Sequence, residues 1–159
     1  MKVYIMIGMI GSGKSSWARM TAGTDFKTIR VSNDDIRSMI KDRYTFDLQL
    51  EPLVRKMGTG LVVQLLLEDK NIVVDDCHLT AKHRQELCAV ILGVAPEAEI
   101  FYVWMKCDNG TAHERRLTNL RGRSEFEWRE VQKKHLSMFD IPSKDENEYI
   151  KEIIEVNNE

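Results

Sequence analysis

A short apolar run, Lys2–Ile7 (KVYIMI), leads straight into a glycine-rich stretch, Gly8–Gly13, followed by Lys14, Ser15, Ser16 and Trp17. No other feature constrains the fold of this chain as strongly. Gly8, Gly13, Lys14 and Ser15 stand at the spacing G-x-x-x-x-G-K-[ST]. Glycines at these positions, with Gly11 and Ser12 between them, let successive backbone N–H groups turn inward around a polyphosphate. A helix opening at Lys14 adds its amino-terminal dipole. Lys14 is placed to reach the outer phosphates, Ser15 to offer a hydroxyl to Mg²⁺, and Ser16 to close the loop. The motif therefore predicts a nucleoside triphosphate site for ATP with magnesium. It leaves open where the terminal phosphate goes.

The rest of the chain alternates. Thr28–Val31 and Asn71–Asp76 read as further strands, and so does Ala98–Met105. Helices are expected over Lys14–Met20, Asp34–Lys41, from Pro52 to about Asp69, from a Thr80 cap to about Leu92, over Thr111–Asn119 and over Glu127–Phe139. The residues 42–50 read as a polar, aromatic loop. Gly58 and Gly60 weaken their helix and suggest the close approach of another backbone there. Tyr149–Val156 fits either an edge strand, by its alternation, or a terminal helix, by its charges. Strand and helix in turn predict an α/β fold: an open, mainly parallel sheet with helices on both faces, in a single domain over residues 1–159. In such folds ligands gather at the carboxyl ends of the strands.

Composition excludes several classes. A net charge of −2 provides no global field for nucleic acid, so any such site is a local patch. Cys77, Cys88 and Cys107 are odd in number and widely spaced, which fits neither a disulfide framework nor a zinc site and suits a reducing compartment. No stretch has the length of a membrane span or a secretory leader. A cytoplasmic protein of a bacterium or a phage-infected host, without membrane partners, is the expectation.

Three further clusters fall where ligands gather. Asp34 and Asp35 open a helix after the second strand, and Arg37 shares a face with Asp34 one turn on. A carboxylate there accepts a proton from an acceptor hydroxyl and the arginine holds an acceptor phosphate; equally, the acids are a solvated helix start favoured by the dipole. In the stretch VVDDCHLT, Asp75 or Asp76 is a magnesium candidate and His78 either touches substrate or packs. Residues 113–134 carry seven Lys/Arg against four Glu, and the glycine between Arg121 and Arg123 reads as a hinge in a lid over about 115–126.

Together, GSGKSSWAR, NDDIR, DCHLT, RLTNLRGR and MFDIP resemble the polynucleotide 5′-kinase domain of phages and its small P-loop kinase relatives, over nearly the whole chain. The resemblance implies a phosphotransferase acting on the 5′-hydroxyl of DNA or RNA. Lys14 and Ser15 would bind nucleotide phosphates and magnesium, and Asp34 would be the general base. Arg37 would engage the acceptor nucleotide and Asp76 would help bind it. Arg121 would be the lid arginine, with Arg123 beside it on the nucleotide. The family's Asp-Thr-Asn box reads Asp76-Cys77-His78 here, and no phosphatase segment follows. A small-molecule or nucleotide hydroxyl is the alternative acceptor, and a non-catalytic nucleotide switch a further reading. Oligomeric state stays open.

Overall fold

The computed structural model describes residues 1–41 and 43–158; Asp42, the first residue of the expected loop, and Glu159 lie outside the described residues. Strands β1 (Lys2–Ile7), β2 (Thr28–Ser32), β3 (Asn71–Asp75), β4 (Glu99–Lys106) and β5 (Ile150–Asn157) form one sheet in the order β2-β3-β1-β4-β5. Every pairing is parallel. Helices α1 (Lys14–Ala22), α2 (Asn33–Lys41), α3 (Glu51–Leu67), α4 (Ala81–Val94), α5 (Asn109–Leu117) and α6 (Glu125–Met138) connect the strands.

The near-continuous apolar strands follow from burial on both faces. Val3, Ile5 and Ile7 of β1 pack with Val62 and Leu66 of α3 and with Cys88 and Ile91 of α4. Met6, one residue out of that phase, packs on the other face with Ala18 of α1, Val73 and Val103. The side-chain period of two along a strand thus sends neighbours into opposite cores. Because all strands run the same way, their carboxyl ends share one edge. The residues after β1, β2 and β3 all emerge there. No helix among the described residues is long and apolar enough to cross a membrane.

Several boundaries depart from expectation, each for a local reason. β5 is a strand, not a terminal helix: it pairs with β4 alone and leaves Lys151, Glu152 and Glu155 exposed, the charged pattern of a protected edge. α5 starts at Asn109 because the Asp108 carboxylate accepts from the N–H of Gly110 (3.1 Å) and of Thr111 (2.7 Å). α6 starts at Glu125 because Ser124 and Glu127 form a reciprocal capping box. Thr80 caps α4 as expected, accepting from His83 N–H at 3.2 Å. No other backbone approaches either α3 glycine: an added Cβ on Gly58 would lie 2.4 Å from the Asn33 side chain, at Oδ1, and one on Gly60 would have nothing within 4 Å.

Arg84 of α4 is 0% exposed. Its Nε donates to Glu146 Oε2 at 2.8 Å, and its other nitrogens donate to the carbonyls of His78 (2.8 Å), Leu79 (3.1 Å) and Asp140 (3.0 Å). It therefore ties the segment after α6 to the loop that carries Asp76 and His78. Truncation leaves Glu146 buried without its counter-charge. Arg84→Ala should cost about 3–5 kcal/mol of stability in urea unfolding. A loss below about 1 kcal/mol would show that the hub is not what holds this segment.

Candidate active site

The glycine loop between β1 and α1 has the backbone that the sequence pattern requires. Gly8, Gly11 and Gly13 all take positive φ, at 148°, 82° and 95°. Two of them also admit close neighbours. A Cβ on Gly11 would lie 1.9 Å from Ala112 O in α5, and one on Gly13 would lie 2.1 Å from Asn158 Nδ2. The loop is thus gripped by α5 from one side and by the residue after β5 from another, where Asn158 Nδ2 donates to Ser12 O at 2.9 Å. Ser12 is fully buried and Ser16 exposed.

Lys14 is buried, and its Nζ donates to Gly8 O (3.0 Å), Met9 O (2.6 Å) and, at 3.5 Å, Ser12 Oγ. Its charge therefore sits inside the loop curve. Ser15 Oγ donates to Asp75 Oδ1 at 3.2 Å. The hydroxyl and carboxylate are hard oxygen donors of the kind Mg²⁺ takes, alongside phosphate oxygens and water. No group of three or more His, Cys, Asp or Glu among the described residues could hold a metal alone. Asp75 is in turn gripped by Arg30, through Nε at 2.7 Å.

The neighbouring carboxylate points elsewhere. Asp76 accepts from Asn33 Nδ2 at 2.6 Å and from Cys77 N–H at 2.7 Å. Burial pushes its pKa up, but His78, the Cys77 amide, Arg37 and Asn33 outweigh that and hold it below the usual carboxylate range. Adjacent residues on an extended chain face opposite ways, so Asp75 meets the P-loop and Asp76 meets α2. Burial pushes the Cys77 thiol up to about 11, so it is neutral here. His78 has φ 41°, its Nδ1–H donates to Met6 O at 2.7 Å, and burial lowers its pKa. A left-handed non-glycine residue is held there by its surroundings; for His78 these are Met6 and Arg84.

At the start of α2, Arg37 donates to Asp34 Oδ1 at 2.7 Å and, bidentately, to Glu51 at 2.7 Å and 2.7 Å. Burial works against the Arg37 charge, but Glu51 outweighs it and holds the guanidinium above its ordinary pKa. Arg121, across the chain in the α5–α6 turn, donates to Asp34 Oδ2. Asp34 thus lies between two arginines while its side chain stays 38% exposed, within reach of an incoming group. Arg121 has φ 49° and its guanidinium lies 4.9 Å from the Tyr44 ring. Arg123 lies over Phe46 at 4.8 Å and Trp128 at 5.0 Å. Between these groups opens a cleft of about 1100 Å³, lined among others by Asp34, Tyr44, Phe46, Arg121, Arg123 and Phe126.

The structure brings Lys14, Ser15, Asp34, Arg37, Asp76, His78 and Arg121 to one edge of the sheet. Arg123 lies on the aromatic wall, over Phe46 and Trp128. Sequence reasoning missed Arg30, Glu51 and Asn33, which hold the site carboxylates and Arg37 in place. None of these has a motif of its own. Tyr44 and Phe46 had a signal, two aromatic residues in a loop that follows the Asp34–Arg37 box.

Residues 3–137 match the family described as AAA domain. No curated protein matches the chain. Among solved structures, a Pnkp1/Rnl/Hen1 complex is 26% identical with a TM-score of 0.61, over 72% of this chain. This chain spans only 38% of that one. A fungal RNA kinase is 12% identical with a TM-score of 0.73, over 99% of this chain and 76% of that one. A gluconokinase from Sinorhizobium meliloti is 17% identical with a TM-score of 0.58, over 99% and 82%. The chain belongs to the AAA domain family and has the P-loop kinase fold.

Proposed function

We propose that this protein is an ATP- and magnesium-dependent kinase that transfers the γ-phosphate to the 5′-hydroxyl of DNA or RNA, as in the phage-type polynucleotide kinases it resembles. The observation that carries the reading is the cleft beside Asp34. Its walls combine arginines with aromatic rings, the pairing that binds single-stranded nucleic acid by phosphate contact and base stacking. A solvated helix start would not need Asp34 held by Arg37 and Arg121 at the mouth of such a cleft.

Each residue then has a task. The Gly8–Gly13 loop and Lys14 hold the nucleotide phosphates, and Ser15 with Asp75 holds the metal. Magnesium held there would supply positive charge to the phosphates being parted. Asp34 accepts the proton of the attacking hydroxyl. Arg37, braced by Glu51, holds an acceptor phosphate, and Asp76 and His78 shape the acceptor pocket. Residues 115–126, the end of α5, the α5–α6 turn and the start of α6, act as a lid. Arg121 leaves Asp34 when the acceptor enters and stabilises charge on the moving phosphoryl group.

Arg121→Ala should slow transfer about a hundredfold while weakening ATP binding far less. An unchanged rate would move the lid role to Arg123. A small-molecule acceptor is the second reading. The net charge of −2 favours it, because polynucleotide affinity rests largely on phosphate contacts. The deciding experiment follows label from γ-labelled ATP with Mg²⁺ to a 5′-hydroxyl oligonucleotide and, in parallel, to nucleosides, nucleotides and sugars. Label on the oligonucleotide supports the proposal. Label only on a small molecule replaces the substrate, and hydrolysis or binding without transfer points to a switch.

A further inference from the structure

Three peptide units run from Gly11 to Lys14 in the glycine loop, and the loop itself holds the outer two. In the first, Ser12 N–H donates to Met9 O at 3.1 Å. In the third, Gly13 O accepts from Ser16 N–H (3.1 Å) and Trp17 N–H (3.2 Å) in the first turn of α1. The middle unit, Ser12 C=O with Gly13 N–H, has no such local tie. Among the described residues its N–H has no hydrogen-bond acceptor. Its oxygen is taken by the side chain of Asn158, 146 positions away, at 2.9 Å.

That middle unit is also the one freest to turn over. A trans peptide points its C=O and its N–H to opposite sides, so reversing it changes the ψ of Ser12 and the φ of Gly13 together. Glycine takes positive and negative φ about equally readily, so Gly13, at φ 95°, offers little resistance. The orientation is therefore set from outside the loop. Asn158 is itself fixed on both sides of its backbone. Its N–H donates to Lys106 O at 2.9 Å, continuing the β4–β5 ladder, and its C=O accepts from Arg115 Nη1 at 2.9 Å. Its amide lies so near Gly13 that a Cβ there would stand 2.1 Å from Nδ2, and only glycine leaves room for the contact.

We infer that Asn158 is a positioning residue of the nucleotide site: by holding Ser12 O it turns the Gly13 N–H toward the phosphates of a nucleotide seated in the loop. This rests on the reading of Gly8–Ser15 as a nucleoside triphosphate site. Asn158 itself touches no ligand. Its hydrogen bond sets the sign of one peptide dipole. With Ser12 O on Asn158, a partial positive charge faces the anion. With the unit reversed, a carbonyl oxygen faces it, and one donor of the loop becomes a repelling group. The cost of orienting the peptide is thus met on folding rather than on binding.

The test is an NMR titration of the isotope-labelled full chain, and of Asn158→Leu and Asn158→Ala, with ADP, a non-hydrolysable ATP analogue and adenosine, each with Mg²⁺. In the wild type the Gly13 amide proton should move downfield with ADP and stay in place with adenosine. Leucine keeps the branched shape of asparagine but has no donor. Asn158→Leu should weaken ADP and the analogue about tenfold, leave adenosine unchanged and remove most of the Gly13 shift. Asn158→Ala should do the same, which separates the lost hydrogen bond from a packing fault peculiar to leucine. Melting without ligand checks that the variants fold, and the wild-type Gly13 signal tests the inference even where they do not. A Gly13 amide that ADP leaves unmoved while those of Lys14 and Ser15 shift would overturn the inference and leave the kinase reading standing. So would equal losses for adenosine and ADP, or undiminished ADP affinity in both variants. If the wild type binds no phosphate-bearing ligand, the P-loop reading falls, and this one with it.

Discussion

Lys14→Ala should cut phosphoryl transfer by about a thousandfold or more, if, as proposed, Lys14 is the cation that meets the transferring group. The structural argument is the position of Nζ. It is enclosed by the loop, bonded to Gly8 O at 3.0 Å and Met9 O at 2.6 Å, with no acidic partner among its hydrogen bonds. Two carbonyls hold the charge in place without neutralising it, so it remains free to act on an anion. The fold should survive. Hydrogen bonds to a charged group contribute about 1.5–3 kcal/mol each way of counting, against a typical total of about 5–15 kcal/mol. Transfer from labelled ATP measures the first claim and thermal melting the second. Residual transfer within about tenfold of wild type would remove Lys14 from the phosphate site.

Asp34→Asn should lower transfer by about a hundredfold to ten-thousandfold while ADP affinity stays unchanged. The amide is nearly the same shape but cannot take up a proton. The site should keep its form, because Arg37 remains clamped by Glu51 at 2.7 Å and 2.7 Å. Arg121 loses its charged partner and becomes freer, which separates base chemistry from lid closure: pre-steady-state transfer should fall while nucleotide binding persists. If transfer persists as well, the base lies elsewhere in the cleft and Asp34 is a ligand of the two arginines only.

The parts of the site legible beforehand are those in which one short segment supplies all the groups. Gly8–Ser15 is such a segment, and so is Asp34–Arg37, whose i,i+3 pair forms at 2.7 Å as helix geometry requires. β1, β3 and β4 were legible for the same reason, since a short, near-continuous apolar run is a local property. Boundaries were less so. α5 and α6 begin earlier than periodicity implied because Asp108 and Ser124 cap them, and a cap is polar and lies outside the apolar pattern. Arg84 was unreadable: an arginine on a helix looks exposed until a segment more than fifty residues later brings Glu146 against it, at a separation of 62.

The sequence by itself determined the glycine loop before α1, the alternating α/β pattern and a carboxylate–arginine box after the second strand. These depend on backbone angles and spacings within a few residues. Tertiary structure alone decided that β5 is the edge strand, and that Asp75 rather than Asp76 meets Ser15. It also decided that Glu51 braces Arg37 and that Arg121 crosses 87 positions to reach Asp34. The physical reason is common to all of these. A parallel sheet joins its strands through helical crossovers, so the groups that meet at its carboxyl edge come from segments far apart in the chain. No local pattern records which of them will touch.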